Sequence, residues 1–261
     1  MTLTLTPLPG IPLIHPGNDL AAILLDSLKL AEIALEDGDI LVLAQKIVSK
    51  AEGRMKNLAN ITPSQQALEL AELTEKDPRL VQVILSESTN VLRARPGTII
   101  TEHRLGFVSA SAGVDQSNAS QDPWISMTGE SVGEWVLLLP ENPDESARIL
   151  RSRLEHACGK RLGVMIIDSH GRAWRLGTVG MAIGLSGLPG LVDLRGKPDL
   201  FGYHLKITLV GAADELAAAA SLVMGQAAEG TPAVHGRGFP YPLREGSLKE
   251  LLRDRETDMF R

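Results

Sequence analysis

Apolar residues recur at helical spacing from Asp19 to Glu36, where Leu20, Leu24, Leu28, Ala31 and Leu35 form one stripe flanked by Ile23. This spacing predicts an amphipathic helix over the whole stretch. "EDGDILVLAQK" follows as a turn and a short buried strand, Ile40 to Ala44. "PSQQALELAEL" and "DPRLVQVILSE" are helical patterns, each opened by a helix-start residue. "NVLRARPGTIITEHRLGFVSASAG" predicts short strands joined at Pro96-Gly97 and at Arg104 to Gly106. "EWVLLLP" is a further strand, and "NPDESARILRSRLEHACG" a capped helix. "HLKITLVGAADELAAAASLVMGQAAEGTP" is a strand, a turn and an alanine-rich helix ending near Gly225, and "REGSLKELLRDRETDMFR" predicts a short terminal helix. The order predicts an α+β or α/β fold of mixed sheets and helices. It alternates too irregularly for a doubly wound sheet or a barrel.

One stretch breaks the pattern. "VMIIDSHGRAWR", residues 164–175, runs four apolar residues straight into Asp168, Ser169, His170 and two arginines. A buried strand that ends in a carboxylate, a hydroxyl and guanidinium groups predicts a charged ligand at that strand end.

The 261 residues suffice for one large domain or two smaller ones. Apolar residues at 44% and charged residues at 22% are ordinary for a globular enzyme. The lone Cys158 excludes an internal disulfide and a multi-cysteine metal site. It suits a reducing, cytoplasmic setting, and its helical neighbourhood makes it a packing residue. The proline-broken start "MTLTLTPLPGIPLIHPG" is unlike a signal peptide, and no apolar run approaches the length of a membrane span. A net charge of −6 with 3% aromatics argues against a nucleic-acid surface, so an anionic ligand needs local cations.

Polar residues gather at four places. "AGVDQSN" holds Asp115, Ser117 and Asn118; "IIDSHGRAWR" holds Asp168 and Ser169; "AQKIVSKAEGR" holds Gln45, Lys46, Ser49 and Lys50; "MGQAAEGTP" holds Gln226 and Glu229. Each stretch alone also reads as turn-forming residues or solvated lysines. Together, separate aspartates with Ser, Asn and Gln oxygens are the ligands that magnesium or manganese prefers, and lysines beside glycine turns suit phosphates. No Walker loop or GxGxxG occurs, and the six histidines lack HxxxH spacing. His170, the one histidine inside a charged cluster, reads as a surface or supporting residue rather than a catalytic one.

Taken in order, "GIPLIHPGNDL", "GDILVLAQKIVSKAEGR", "TEHRLGFVSASAGVDQSN", "LLPENPDESARILR", "IIDSHGRAWRLGTVGMAIG" and "ADELAAAASLVMGQAAEGTPAVHGRG" resemble the coenzyme F420-0:L-glutamate ligase family across about residues 10 to 238. The resemblance implies a GTP-dependent ligase that adds L-glutamate through γ-linkages to coenzyme F420-0, using divalent magnesium or manganese, with potassium a further candidate. It implies a two-domain subunit, with uncertain internal boundaries within residues 1–261, in an intertwined homodimer. No C-terminal flavin-reductase-like domain is expected. Carried over residue by residue, Asp115 and Asp168 would hold the first metal, and Ser169 with Gln226 the second. Nucleotide contacts would fall on Ile11, Pro12, Leu13 and Ile14, on Gln45, Lys46, Lys50 and Asn118, and on Met224, Gly225, Gln226, Ala227, Ala228, Glu229, Gly230 and Thr231.

Ser169 stands where many relatives carry threonine and keeps the hydroxyl. Gln45 replaces a serine seen in some relatives, which puts its side-chain contact in question. Residues 119–135, "ASQDPWISMTGESVGEW", form a longer loop than the family usually has. Arg172 and Arg175 are further candidates, beyond the resemblance, for binding the reacting carboxylates; the competing reading pairs one of them with an acidic neighbour. Glu229 either orients ligands or caps a helix end. The competing functions are a ligase for another acid and a non-catalytic nucleotide- or metal-binding regulator.

Overall fold

A computed structural model describes residues 2–117 and 134–259. Asn118 and the greater part of the 119–135 stretch lie outside the described residues. In chain order the strands and helices are β1 (Thr4–Pro7), α1 (Leu20–Leu30), β2 (Ile40–Ala44), α2 (Gln45–Ala51), β3 (Met55–Asn57), α3 (Gln65–Thr74), α4 (Pro78–Ser86), β4 (Ser88–Arg95), β5 (Thr98–His103) and β6 (Val108–Ala110). They continue as β7 (Trp135–Leu137), α5 (Pro143–Cys158), β8 (Gly163–Arg172), β9 (Arg175–Ser186), β10 (Val192–Asp193), β11 (Leu209–Val210), α6 (Ala212–Met224) and β12 (Ala233–Arg237). The fold is mixed, as the sequence predicts.

The central sheet has the order β1-β12-β2-β8-β9. Only β2 and β8 run parallel, from Ile40 opposite Gly163 to Ala44 opposite Ile167. Side chains alternate across the pleat. Leu41, Leu43, Val164 and Ile166 meet α1 and α5 on one face. Ile40, Val42, Met165 and Ile167 meet Ala213, Leu216, Ala217 and Ala220 of α6 on the other. Burial on both faces explains why "ILVLA" and "VMII" are unbroken apolar runs. Each such Leu or Ile side chain contributes roughly 1.5–3 kcal/mol.

A smaller sheet, β4-β5-β6, packs Ile99 against Ala67, Ala71, Val81 and Ile84 of α3 and α4. Between these bodies Glu87 accepts from Arg54 at 2.9 Å and Arg104 at 3.0 Å, and Arg54 also pairs with Glu141 at 2.9 Å. His103, fully buried, lies 3.8 Å from Glu87 and accepts at Nδ1 from the Leu105 N–H at 3.0 Å.

Three expectations need correction. The first helix stops at Leu30 rather than continuing to Glu36. Glu32 adopts a left-handed φ of 56°, and the N–H groups of Glu32 and Ile33 turn back to the carbonyls of Lys29 and Leu28. This is a Schellman closure without its usual glycine, which periodicity does not signal. The strand bearing Asp168 does not end there: β8 continues to Arg172, paired with β9 through Arg172 opposite Arg175. The terminal helix is only a 3-10 turn at Leu248–Glu250.

Strand β9 carries close approaches on both faces. A Cβ on Gly184 would lie 2.4 Å from the carbonyl carbon and Cβ of Pro143, at the start of α5. A Cβ on Gly180 would lie 2.5 Å from the Ala217 carbonyl oxygen and 2.5 Å from Ser221 Cβ, both on α6. Gly180→Ala is therefore expected to force α6 off the sheet and destabilise the fold by about 1–3 kcal/mol, as overpacking does. Urea unfolding measures it, and an unchanged midpoint would contradict the close packing.

His103 predicts a pH effect. Burial, with the neighbouring Arg104 charge, pushes its imidazole down from 6.5 to about 3. The unfolded chain takes up this proton below 6.5 while the fold refuses it, so the contribution is full above 6.5 and is lost as pH falls toward 3. His103→Asn keeps an acceptor near the Leu105 N–H and does not titrate. The stability difference between wild type and this variant is expected to change in the variant's favour from neutral pH to pH values between those limits; a pH-independent difference would refute it.

Candidate functional site

The parallel pair sets where the candidate residues meet. Beyond Ala44 and Ile167, β2 turns directly into α2 at Gln45 while β8 runs on beside β9 alone. The chain thus opens a step in the sheet at the carboxyl ends of its parallel strands, a common ligand position in open α/β sheets. Asp168 is the first residue past that step. On the other side of β2, the Ala44 N–H donates to the Pro232 carbonyl at 2.8 Å, which brings the stretch after α6 to the same edge. The Leu8 N–H donates to Ala233 at 2.9 Å, so the chain leaving β1 starts from there as well.

Each predicted cluster has its own geometry at this edge. Lys46, on the first turn of α2, places its ammonium 2.8 Å from Asp115 and also donates to the Ser117 hydroxyl. The Ser117 N–H donates to the other Asp115 oxygen at 2.7 Å, and Asp115 itself is held by a bridge to Leu137. Burial would raise the Asp115 carboxyl; the Lys46 ammonium and Ser117 N–H outweigh it and hold it below the usual carboxylate range. Ser169 donates to the Gln226 side-chain oxygen at 2.8 Å, and Gln226 donates to Ser221 of α6 at 2.8 Å. The Ser169–Gln226 pair inferred from the resemblance is thus in direct contact, across 57 residues of chain.

The stretch Met224–Thr231 forms a closed loop. The Thr231 hydroxyl donates to the Met224 carbonyl at 2.9 Å across its base. Gly225, with φ of 77°, starts the turn, and Glu229 folds back over it to accept from the Ala227 N–H at 2.8 Å. That bond holds the exposed Glu229 carboxyl below its ordinary range. Gln226, Ala227, Ala228, Glu229 and Gly230 are exposed along the loop. Leu13 is exposed and Pro12 likewise, while Ile14 is buried in the core and Ile11 packs against it. Gln45 is 2% exposed; its side-chain oxygen accepts from Ser49 at 2.8 Å, and its amide nitrogen has no partner. Lys50 is buried in the last turn of α2.

The arginines do not join the cluster. Arg172 donates to the Gly177 carbonyl at 3.1 Å and the Leu176 carbonyl at 3.4 Å within its own hairpin, and Arg175 is exposed opposite it. Among the described residues neither pairs with a carboxylate. His170 is 5% exposed and not a surface residue; its Nε2 lies 3.0 Å from Asp168 Oδ2. Cys158, the last residue of α5, packs half-buried against the core, as expected.

Among the described residues no three His, Cys, Asp or Glu side chains converge as a metal cluster. The available donors are the Asp168 carboxylate, the Ser169 hydroxyl and the Gln226 amide oxygen at the sheet edge, with the Asp115 carboxylate held by Lys46 at the start of α2. That all-oxygen chemistry fits a hard cation that keeps some of its waters, and it does not fit zinc. The buried, unpartnered Gln45 amide is a donor awaiting an acceptor, a costly arrangement that a ligand oxygen would relieve. Sequence reasoning missed Ser221 and Phe107, which support Gln226 and His170 only through tertiary contacts.

Comparison with known proteins gives one answer. The family described as F420-0:Gamma-glutamyl ligase matches residues 10–238. A "Coenzyme F420:L-glutamate ligase" of Methanothermobacter thermautotrophicus is 46% identical over 263 residues, covering 100% of each chain. One of Methanopyrus kandleri is 48% identical, covering 100% of this chain and 98% of its own. One of Archaeoglobus fulgidus is 39% identical, covering 100% and 97%.

Proposed function

Because the chain belongs to the F420-0:Gamma-glutamyl ligase family, we infer that it is a ligase joining L-glutamate to coenzyme F420-0 through γ-linkages, in F420 biosynthesis, with GTP as the energy source. The observation that carries this reading is the family match across residues 10–238, which includes all four polar clusters at the sheet edge.

Joining a carboxylate to an amine needs an activated carboxylate, because the free anion is a poor electrophile. In the proposed reaction the substrate carboxylate takes the γ-phosphoryl group of GTP, GDP departs, and an acyl phosphate forms. The α-amine of glutamate then attacks the acyl carbon; the C–N bond forms, the C–O bond to phosphate breaks, and inorganic phosphate and a proton leave. The first addition uses the lactyl carboxylate of the precursor, and later ones a glutamate γ-carboxylate. Such transfer depends mainly on positioning and charge neutralisation.

The residues divide this work. Lys46 and Lys50 supply the cationic charge that a polyphosphate needs on a chain of net charge −6. The Met224–Thr231 loop offers exposed backbone groups to the nucleotide, alongside the 11–14 segment, Gln45 and Asn118. Asp115 and Asp168 would hold one divalent cation, and Ser169 with Gln226 a second; magnesium or manganese would there neutralise the phosphates and the acceptor carboxylate. Potassium belongs to the same proposal as a further ion. In the bound state Lys46 would yield part of Asp115 to the cation and turn toward phosphate. Arg172 and Arg175 would reach substrate carboxylates only by leaving their present positions in the hairpin. A two-domain subunit in an intertwined homodimer, at work in the cytoplasm, completes the reading; no helix among the described residues is long and apolar enough to cross a membrane.

Incubation with glutamate-free coenzyme, L-glutamate, manganese and GTP, followed by mass spectrometry, tests the reading. Products heavier by whole glutamate residues are expected; nucleotide hydrolysis alone, with or without the deazaflavin, would point to another acid substrate. Asp115→Asn and Asp168→Asn are each expected to abolish ligation with the thermal midpoint retained, since volume is kept and a charged ligand lost. Near-normal turnover of either at saturating manganese would remove the metal assignment.

Ser169→Ala should behave differently from its neighbour. Water can replace a neutral oxygen at a hard cation. The variant is therefore expected to keep nucleotide binding and to need more divalent cation for half-maximal rate. A wild-type metal titration would leave Ser169 only its bond to Gln226.

A further inference from the structure

Asp168 and His170 are two residues apart on β8, so the pleat puts both side chains on the same face of the strand. There His170 Nε2 lies 3.0 Å from Asp168 Oδ2. His170 is 5% exposed and is not free to turn. Its ring packs on Phe107 with centroids 5.1 Å apart and planes tilted by 43°. Phe107 belongs to the turn between β5 and β6, in the smaller sheet, and is itself stacked on His103 at 5.0 Å with planes 2° apart.

The column continues into fixed charge. His103 is fully buried, its Nδ1 accepts from the Leu105 N–H, and its Nε2 faces Glu87, which Arg54 and Arg104 hold from two sides. An unbroken series of contacts therefore runs from the ionic network at Glu87 through three aromatic rings to one oxygen of Asp168.

An aspartate side chain on a strand rotates about χ1 and χ2 between several rotamers. A donor on one oxygen removes that freedom and leaves the second oxygen directed outward. Residues that support a metal ligand in this manner commonly change metal affinity or activity by about 10–100-fold when removed.

We propose that His170 is a positioning residue for Asp168, and that the Phe107 ring, brought by the smaller sheet, sets its orientation, so that docking of the two sheets completes the cation site. The inference rests on the metal reading of Asp168 given above. It goes beyond that reading in assigning a role to the β5–β6 turn, which supplies no ligand.

Manganese binding by the isolated protein, followed by electron paramagnetic resonance of the free ion without nucleotide or coenzyme, tests it. Three variants are compared, each with its thermal midpoint. His170→Leu keeps an apolar filling and loses the donor; it is expected to weaken manganese binding about 10-fold or more. His170→Gln restores an N–H near the position of Nε2 and is expected to recover most of that loss. Phe107→Leu removes the ring and keeps the His170 donor; it should weaken binding less than His170→Leu, and in the same direction. In a ligation assay His170→Leu should raise the manganese needed for half-maximal rate while kcat at saturating metal stays near that of wild type.

Wild-type binding by a folded His170→Leu overturns the inference and leaves the ligase reading standing. So does equal weakening in His170→Leu and His170→Gln with equal loss of thermal midpoint, which assigns the histidine to packing alone. Should His170→Leu not fold, wild-type binding in Phe107→Leu together with unchanged binding in His170→Gln overturns the role of the ring. Absence of manganese binding by the wild-type chain removes the metal reading itself and the inference with it.

Discussion

The parallel pairing of β2 with β8 is the constraint on which the rest depends. It is the only parallel contact in the central sheet, and it ends abruptly where Ala44 stands opposite Ile167. Because β2 passes into α2 without a loop, Gln45 and Lys46 come out of the sheet one strand away from Asp168 and Ser169. The antiparallel partner β12 enters the same edge from the opposite direction, carrying the loop after α6. Three stretches distant in sequence are thereby delivered to one place by backbone hydrogen bonds, before any of their side chains interact.

Packing on both faces makes that edge rigid. Aliphatic side chains from α1 and α5 cover one face, and the alanine-rich α6 covers the other. The small residues of α6 are a geometric need, since its backbone approaches Gly180 so closely that a single added Cβ would collide with the Ala217 carbonyl. This close fit positions Ser221, Ser221 holds Gln226, and Gln226 meets Ser169. A feature of composition, the run of alanines, thus connects through packing to the orientation of a polar site.

Electrostatics then divides the edge. On a chain with net charge −6, Lys46 lies against Asp115 and draws its carboxyl down despite burial. Asp168 has an imidazole neighbour in place of a lysine. The two aspartates, equivalent in a list of acidic residues, therefore stand in different surroundings: one lies against the Lys46 ammonium, the other against the buried His170 ring.

The sequence by itself determined the mixed class of the fold, the buried strand Ile40–Ala44, and the capped helices after Ser64, Asp77 and Asn142, because those features are written in periods and neighbouring residues. Its ordered motifs also determined the family. Tertiary structure decided what locality does not encode: that the first helix closes early at Glu32, that the strand through Asp168 continues into a hairpin, and that Arg172 spends its donors on its own turn. It alone placed Ser169 against Gln226 and a phenylalanine of another sheet against His170. The physical reason is that local spacing specifies which face of an element is apolar, whereas the partner met by a polar side chain depends on how those faces pack.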